Sequence, residues 1–202
     1  MMRRFRSILL FSILFVVGFT LMGYEMLGSR YLNPYFGGGI TTWACLISVV
    51  LMSMMIGYAG GGFIADNVQG SFFLTGVFFL VGVYLLLVAF LGKDAMLFIM
   101  NKFGYDFSGT MLAASVLTVI PVGFLASVSP FFVKLILSEI SHTGRVTGSV
   151  YAVSTFGNVF GTLITTFWLI PNIGTRNITL LLGGILLLCA CVTWLIRERV
   201  SP

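Results

Sequence analysis

Charge is what this chain lacks most, since Asp, Glu, Lys and Arg make up 8% of its 202 residues against 58% hydrophobic ones. So few polar groups cannot cover a water-soluble globule of this size, which excludes the soluble classes. Histidine occurs once, at His142, with no cysteine or carboxylate at ligand spacing, and that leaves no metal site to read. The cysteines, Cys45, Cys189 and Cys191, all fall in apolar stretches. An odd number of thiols at membrane depth argues against a disulfide framework and for packing. Strand-like alternation of period two is missing, so Gly37-Gly38-Gly39 and the other glycine clusters cannot be phosphate loops, which must follow a strand and open a helix. No nucleophile sits beside a base and no span holds two carboxylates. The chain therefore offers no catalytic residue, no cofactor site and none of the aromatic-laced basic patches that nucleic acid requires.

What it has is apolar length. Windows of about 19 residues, set against a hydrocarbon core about 30 Å thick, predict spans near 8–29, 39–63, 71–92, 107–132, 148–170 and 177–196. Backbone in lipid must bond to itself, so these spans are expected to be helices: an all-α, polytopic six-helix bundle over 8–196 with tails at 1–7 and 197–202. The longer connections are expected at Gly92 to Asp106 and Val133 to Thr147; the others are short and force antiparallel neighbours. Arg3, Arg4, Arg6, Lys134, Arg145, Arg197 and Arg199 fall on one side, and Arg30, Lys93, Lys102 and Arg176 on the other. The positive-inside rule then predicts both termini in the cytoplasm, in an inner (plasma) membrane. The first apolar run continues to about Gly28 without a small-x-small cleavage pattern and reads as a retained helix.

A few polar residues inside these spans need a reason. Glu25 lies 17 residues past Ile8, about 25 Å along a helix, where an unpaired carboxylate is costly. Two readings stand for it. It either forms a helix-end ion pair with Arg30, which requires the first helix to end or unwind near Gly28, or it serves a substrate or proton site, in a candidate binding set with Arg30, Tyr24, Trp43, Ser154, Asn158 and Thr165. Ser154, Asn158, Gly161 and Thr165 recur at i, i+4, i+7 and i+11, one polar stripe on a helix, with Gly157-x-x-x-Gly161 as a small-residue groove. The stripe is either helix-packing glue or a cavity lining. Gly57, Gly60, Gly61 and Gly62 allow another close helix approach, with Asp66 one turn beyond. Between the fourth and fifth spans Lys134, Glu139, His142 and Arg145 form the largest expected docking surface for a protein partner. An internal repeat of three plus three helices leaves only a short echo, Ile40-Thr41-Thr42-Trp43 against Ile164-Thr165-Thr166-Phe167-Trp168.

Two longer segments carry a family resemblance. They are Tyr24-Glu25-Met26-Leu27-Gly28-Ser29-Arg30-Tyr31-Leu32-Asn33-Pro34-Tyr35-Phe36-Gly37, followed by Trp43 and Gly57 to Asp66, and Gly144 to Thr162 with Leu169-Ile170-Pro171-Asn172-Ile173-Gly174. In these the chain resembles the membrane domain of bacterial membrane-bound spermidine synthase-like proteins, the fused major-facilitator and spermidine synthase type. The resemblance implies half of a major-facilitator fold. It also implies an aminopropyltransferase-like activity residing in a separate partner, because the glycine-rich loop and catalytic aspartates of that domain have no counterpart before Pro202. The basic residues of the facilitator loop motif are replaced by Asn67-Val68-Gln69-Gly70. The expected function is a non-catalytic membrane subunit or anchor for such a partner, with membrane lipids and a protein partner or homo-oligomer as its contacts. The alternative is a small transporter or half-transporter for a cationic or lipid-like solute.

Overall fold

A computed structural model describes residues 2–68, 72–137 and 143–197. Its elements are α1 (Met2–Phe36), α2 (Ile40–Asn67), α3 (Phe72–Phe103), α4 (Phe107–Leu137), α5 (Thr143–Ile164), a π-helical turn (Thr165–Leu169), the short α6 (Ile170–Ile173) and α7 (Thr175–Arg197). Among the described residues there is no strand. Among the described residues six stretches are long and apolar enough to cross a membrane: Ile8–Phe36, Ile40–Asn67, Phe72–Phe103, Phe107–Ile136, Thr143–Ile173 and Thr175–Leu195. The chain is an all-α, multi-pass membrane bundle.

Glycine sets the helix ends. Gly37, Gly104 and Gly174 have φ of 76°, 76° and 82°, a left-handed conformation that side chains with a Cβ resist. The Gly37 and Gly104 N–H groups donate to Asn33 O and Met100 O at 3.0 Å, closing α1 and α3 with left-handed caps. Between those stops the helices outrun the expected spans. α3 has 32 residues, about 48 Å, and overshoots a 30 Å core. The connection expected from Gly92 to Asp106 is therefore mostly helix, because Met96 and Ile99 are buried in the core and hold the extra turns in place. α1 likewise does not unwind at Gly28 but continues through Pro34 to Phe36. Glu139 and His142 lie outside the described residues.

The pairing of helices is two-fold in character. α2 packs most extensively on α4, α5 on α1, and α3 on α7. In terms of spans, the second of each triplet lies on the first of the other, and the third lies on the third. The same device makes both cross-pairs. A Cβ at Gly57 or Gly61 would overlap the carbonyls of Gly123 and Ser127 on α4, and one at Gly157 or Gly161 those of Phe15 and Phe19 on α1. Two glycines one turn apart thus bring each pair of backbones into contact. Gly60 and Gly62, expected in the same seam, meet nothing within 4 Å; Gly60 borders an open groove beside the α2–α4 contact.

Two apolar cores fill the bundle. One gathers Leu14, Val17, Phe78, Leu85, Phe132 and Leu182, and the other, toward the α1–α2 turn, gathers Leu32, Leu46, Met96 and Leu117.

Candidate functional site

Polar groups gather in three places that bear on the candidate residues. The first is the core. Tyr24 is 1% exposed and donates its hydroxyl to Leu117 O at 3.0 Å. Pro121 has no N–H, so the carbonyl four residues before it loses its helical donor, and Tyr24 replaces that donor. The residue expected in a binding set is a tie between α1 and α4.

The second place is the α1–α5 seam. Asn158 Oδ1 and Thr165 Oγ1 are buried here without a hydrogen-bond partner. They press against glycine backbone: a Cβ would lie 2.9 Å from Asn158 Oδ1 at Gly18 and 2.8 Å from Thr165 Oγ1 at Gly23. Ser154 joins them through its carbonyl, which a Cβ at Gly18 would overlap. The stripe reads as a tight packing seam, and its other half, Gly18 and Gly23, is a five-residue spacing that a search for glycines one turn apart does not find.

The third place is a pocket of about 250 Å³ at the end of the bundle where α1 stops and α2 starts, lined by Met26, Ser29, Arg30, Asn33, Gly38, Trp43, Thr166 and Ile170. Asn33 is three residues from Arg30 and four from Ser29, spacings that share a helix face, so it reaches the pocket with each of them. Thr166 enters from the π-helical turn. Pro171 could not donate to Phe167 in an α-helix, and the chain widens before it: the Ile170 N–H donates to Thr165 O, five residues back. Thr162 and Thr179 donate their hydroxyls to the carbonyl four residues back, at 3.0 Å and 2.8 Å, whereas Thr166 Oγ1 is buried with no partner. Of the residues singled out from sequence, Arg30 and Trp43 meet in this pocket. Ser29, Asn33 and Thr166 were missed; the one available signal for Thr166 was Pro171 five residues on.

Glu25 stands apart. It is half-buried within a membrane-crossing stretch, it does not line the pocket, and among the described residues no hydrogen-bond or ion-pair partner reaches it. The expected pair with Arg30 is not formed, because a continuous helix sets side chains five apart about 140° around the axis.

At the opposite end, Lys134 is a structural cap. Its Nζ donates to Ala65 O, one of the carbonyls left open at the C-terminus of α2. Asp66 and Arg145 are exposed and carry no such tie. Among the described residues no group of His, Cys, Asp and Glu is arranged to hold a metal ion. Comparison of the chain with protein-family models, with curated proteins and with solved structures gives no match.

Proposed function

We propose that this chain is a non-catalytic membrane subunit that works within a larger assembly, with a second copy of itself or a spermidine synthase-like protein as partner. The observation that carries this reading is the cover on the fifth span. Only 22% of its most apolar window is buried, against 39% to 56% in the other five. That span also exposes Tyr151, Phe156, Phe160, Phe167 and Trp168, aromatic residues of the type enriched at protein interfaces. The resemblance of the Tyr24 to Gly37 and Gly144 to Thr162 segments supports the choice of partner. The basic flanks at Arg3, Arg4, Arg6 and Arg197 support an inner-membrane placement with both termini in the cytoplasm.

A transporter or half-transporter for a cationic solute is the second reading. Glu25, a carboxylate without a partner inside a span, favours it, as does the three-plus-three helix pairing characteristic of transporter repeats. Native mass spectrometry of the protein extracted in its own lipids separates the two. A dimer or a stoichiometric partner is expected, and a monomer that moves solute in liposomes, with flux lost in Glu25→Gln, would refute the first reading and establish the second.

A further inference from the structure

The groove that Gly60 borders has a volume of about 240 Å³ and runs beside the α2–α4 seam, inside two membrane-crossing stretches. Missing side chains make it. A Cβ at Gly60 would meet nothing within 4 Å, and Gly123 leaves a matching gap on α4. The walls are apolar, with Ile56 and Ile64 on α2 and Phe124 on α4. Ile56 is 60% exposed and Phe124 39%, so the groove opens sideways to lipid. Its one hydroxyl, on Ser127, is donated to Phe124 O at 2.6 Å and asks for no further partner. From Ile56 to Ile64 the groove follows α2 for about 12 Å, and that span ends shortly after, at Asn67. Lys134 stands on the same face of α4 as Ser127, because seven residues fall only about 20° short of two full turns, and it lies about 10 Å further along. It is exposed, close to the end of its own span at Ile136. An ammonium carries three donors. One is given to Ala65 O, and among the described residues no carboxylate pairs with it, the neighbouring Asp66 included.

From an apolar groove open to lipid and an ammonium without a counter-ion beyond it on the same helix face, we infer that α2 and α4 bind one anionic phospholipid. Its acyl chain lies in the groove and its phosphate at Lys134. No water reaches this depth to fill the groove, and an empty one would leave its lining atoms without dispersion partners. An apolar cavity of about 150 Å³ holds a benzene. The groove therefore takes a run of methylenes, whereas a helix about 10 Å across is too wide to enter. The 10 Å from Ser127 to Lys134 leaves room for a glycerol and its ester linkage, about as the chain would leave the hydrocarbon. Charge selects the headgroup, since a basic residue at the membrane surface attracts anionic lipid. A side chain from a second copy would fill the groove but leave Lys134 unanswered.

Native mass spectrometry of the purified chain in mild detergent, titrated with dioleoyl phosphatidylglycerol or dioleoyl phosphatidylcholine, tests both halves of the site. The first phosphatidylglycerol is expected to bind about fivefold more tightly than the first phosphatidylcholine. Lys134→Gln keeps an N–H donor for Ala65 O and removes the charge, so it should bring the two lipids level, while Lys134→Arg should keep the preference. Gly60→Leu fills the groove from an open helical position and should weaken both lipids several-fold. Ile56→Trp, which lays an indole over the groove from an exposed position, carries the same expectation and stands in if the first variant fails to fold by circular dichroism. Equal affinity for the two lipids, a preference that survives Lys134→Gln, or binding that neither groove variant weakens overturns the inference. So does a dimer that the groove variants dissociate while lipid binding stays unchanged.

Discussion

Replacing glycine by alanine at eight positions separates the seams of the bundle from its open faces. Gly57, Gly61, Gly157 and Gly161 each place a hypothetical Cβ inside the carbonyl of a neighbouring helix, whereas Gly60, Gly62, Gly76 and Gly184 meet nothing within 4 Å. All eight lie in helices, so the gain in helix propensity, about 0.8 to 1.0 kcal/mol per substitution, is common to both sets and cancels when they are compared. What remains is the cost of forcing a methyl into a closed contact, about 1 to 3 kcal/mol. The physical content of that cost is separation. Moving two helices apart by about 0.5 to 1 Å forfeits a quarter to a half of every dispersion contact along the seam.

The open set should therefore be neutral or stabilised by up to about 1 kcal/mol, and the seam set should fall about 1 to 3 kcal/mol below it. Reversible unfolding by dodecyl sulfate in mixed micelles, followed by circular dichroism, measures both. Because α2–α4 and α5–α1 are different contacts, Gly61→Ala and Gly161→Ala should add within about 0.5 kcal/mol. Two sets that coincide within about 0.5 kcal/mol would refute the helix pairing itself.

Two side-chain ties give sharper local tests. Tyr24→Phe leaves the Leu117 carbonyl buried without a donor, because Pro121 cannot supply one, and a loss of about 1 kcal/mol is expected in the same unfolding assay. The control is Tyr84→Phe, whose hydroxyl reaches Val116 O from an exposed position and should cost less. Lys134→Met opens the C-terminus of α2 and should raise hydrogen exchange at Ile64 to Asn67, while Arg145→Gln, which ties down nothing among the described residues, should leave it unchanged.

The sequence made the six spans legible because lipid leaves the backbone a single economical solution, and hydropathy reports length with little interference. Helix ends were harder. Gly92-Lys93-Asp94 looks like the start of a loop, yet Met96 and Ile99 pack into the core and carry α3 on to Phe103, a tertiary effect invisible to a hydropathy window. Gly157-x-x-x-Gly161 was readable as a seam because both partners of the motif lie on one helix, but its complement on α1 consists of backbone carbonyls, and these have no sequence signature. Lys134 looked like a docking charge, since nothing local reveals that α2 ends beside it with an open carbonyl. The same holds for Tyr24, whose partner is a carbonyl freed by a proline 97 positions further on, at Pro121.

The pocket and the seam are two consequences of one helix. From Gly157 to Gly161 the backbones of α5 and α1 touch, and close packing leaves no room for a ligand. That contact would continue one more turn, since Thr165 still meets Gly23, but Pro171 removes a backbone donor and the turn from Thr165 to Leu169 widens to a π-helix. Thr165 and Thr166 on this turn both have buried hydroxyls without a partner, whereas Thr162 just before it bonds back to Asn158 O. On the other side, Gly37 ends α1 in a left-handed cap and Gly39 starts α2 without a side-chain cap, so the first N–H donors of α2 lie open within a few residues of the last carbonyls of α1. A bundle held together by backbone contact must place its polar work where that contact fails. Here it fails at the end of the fifth span, where Arg30 and Trp43 also lie.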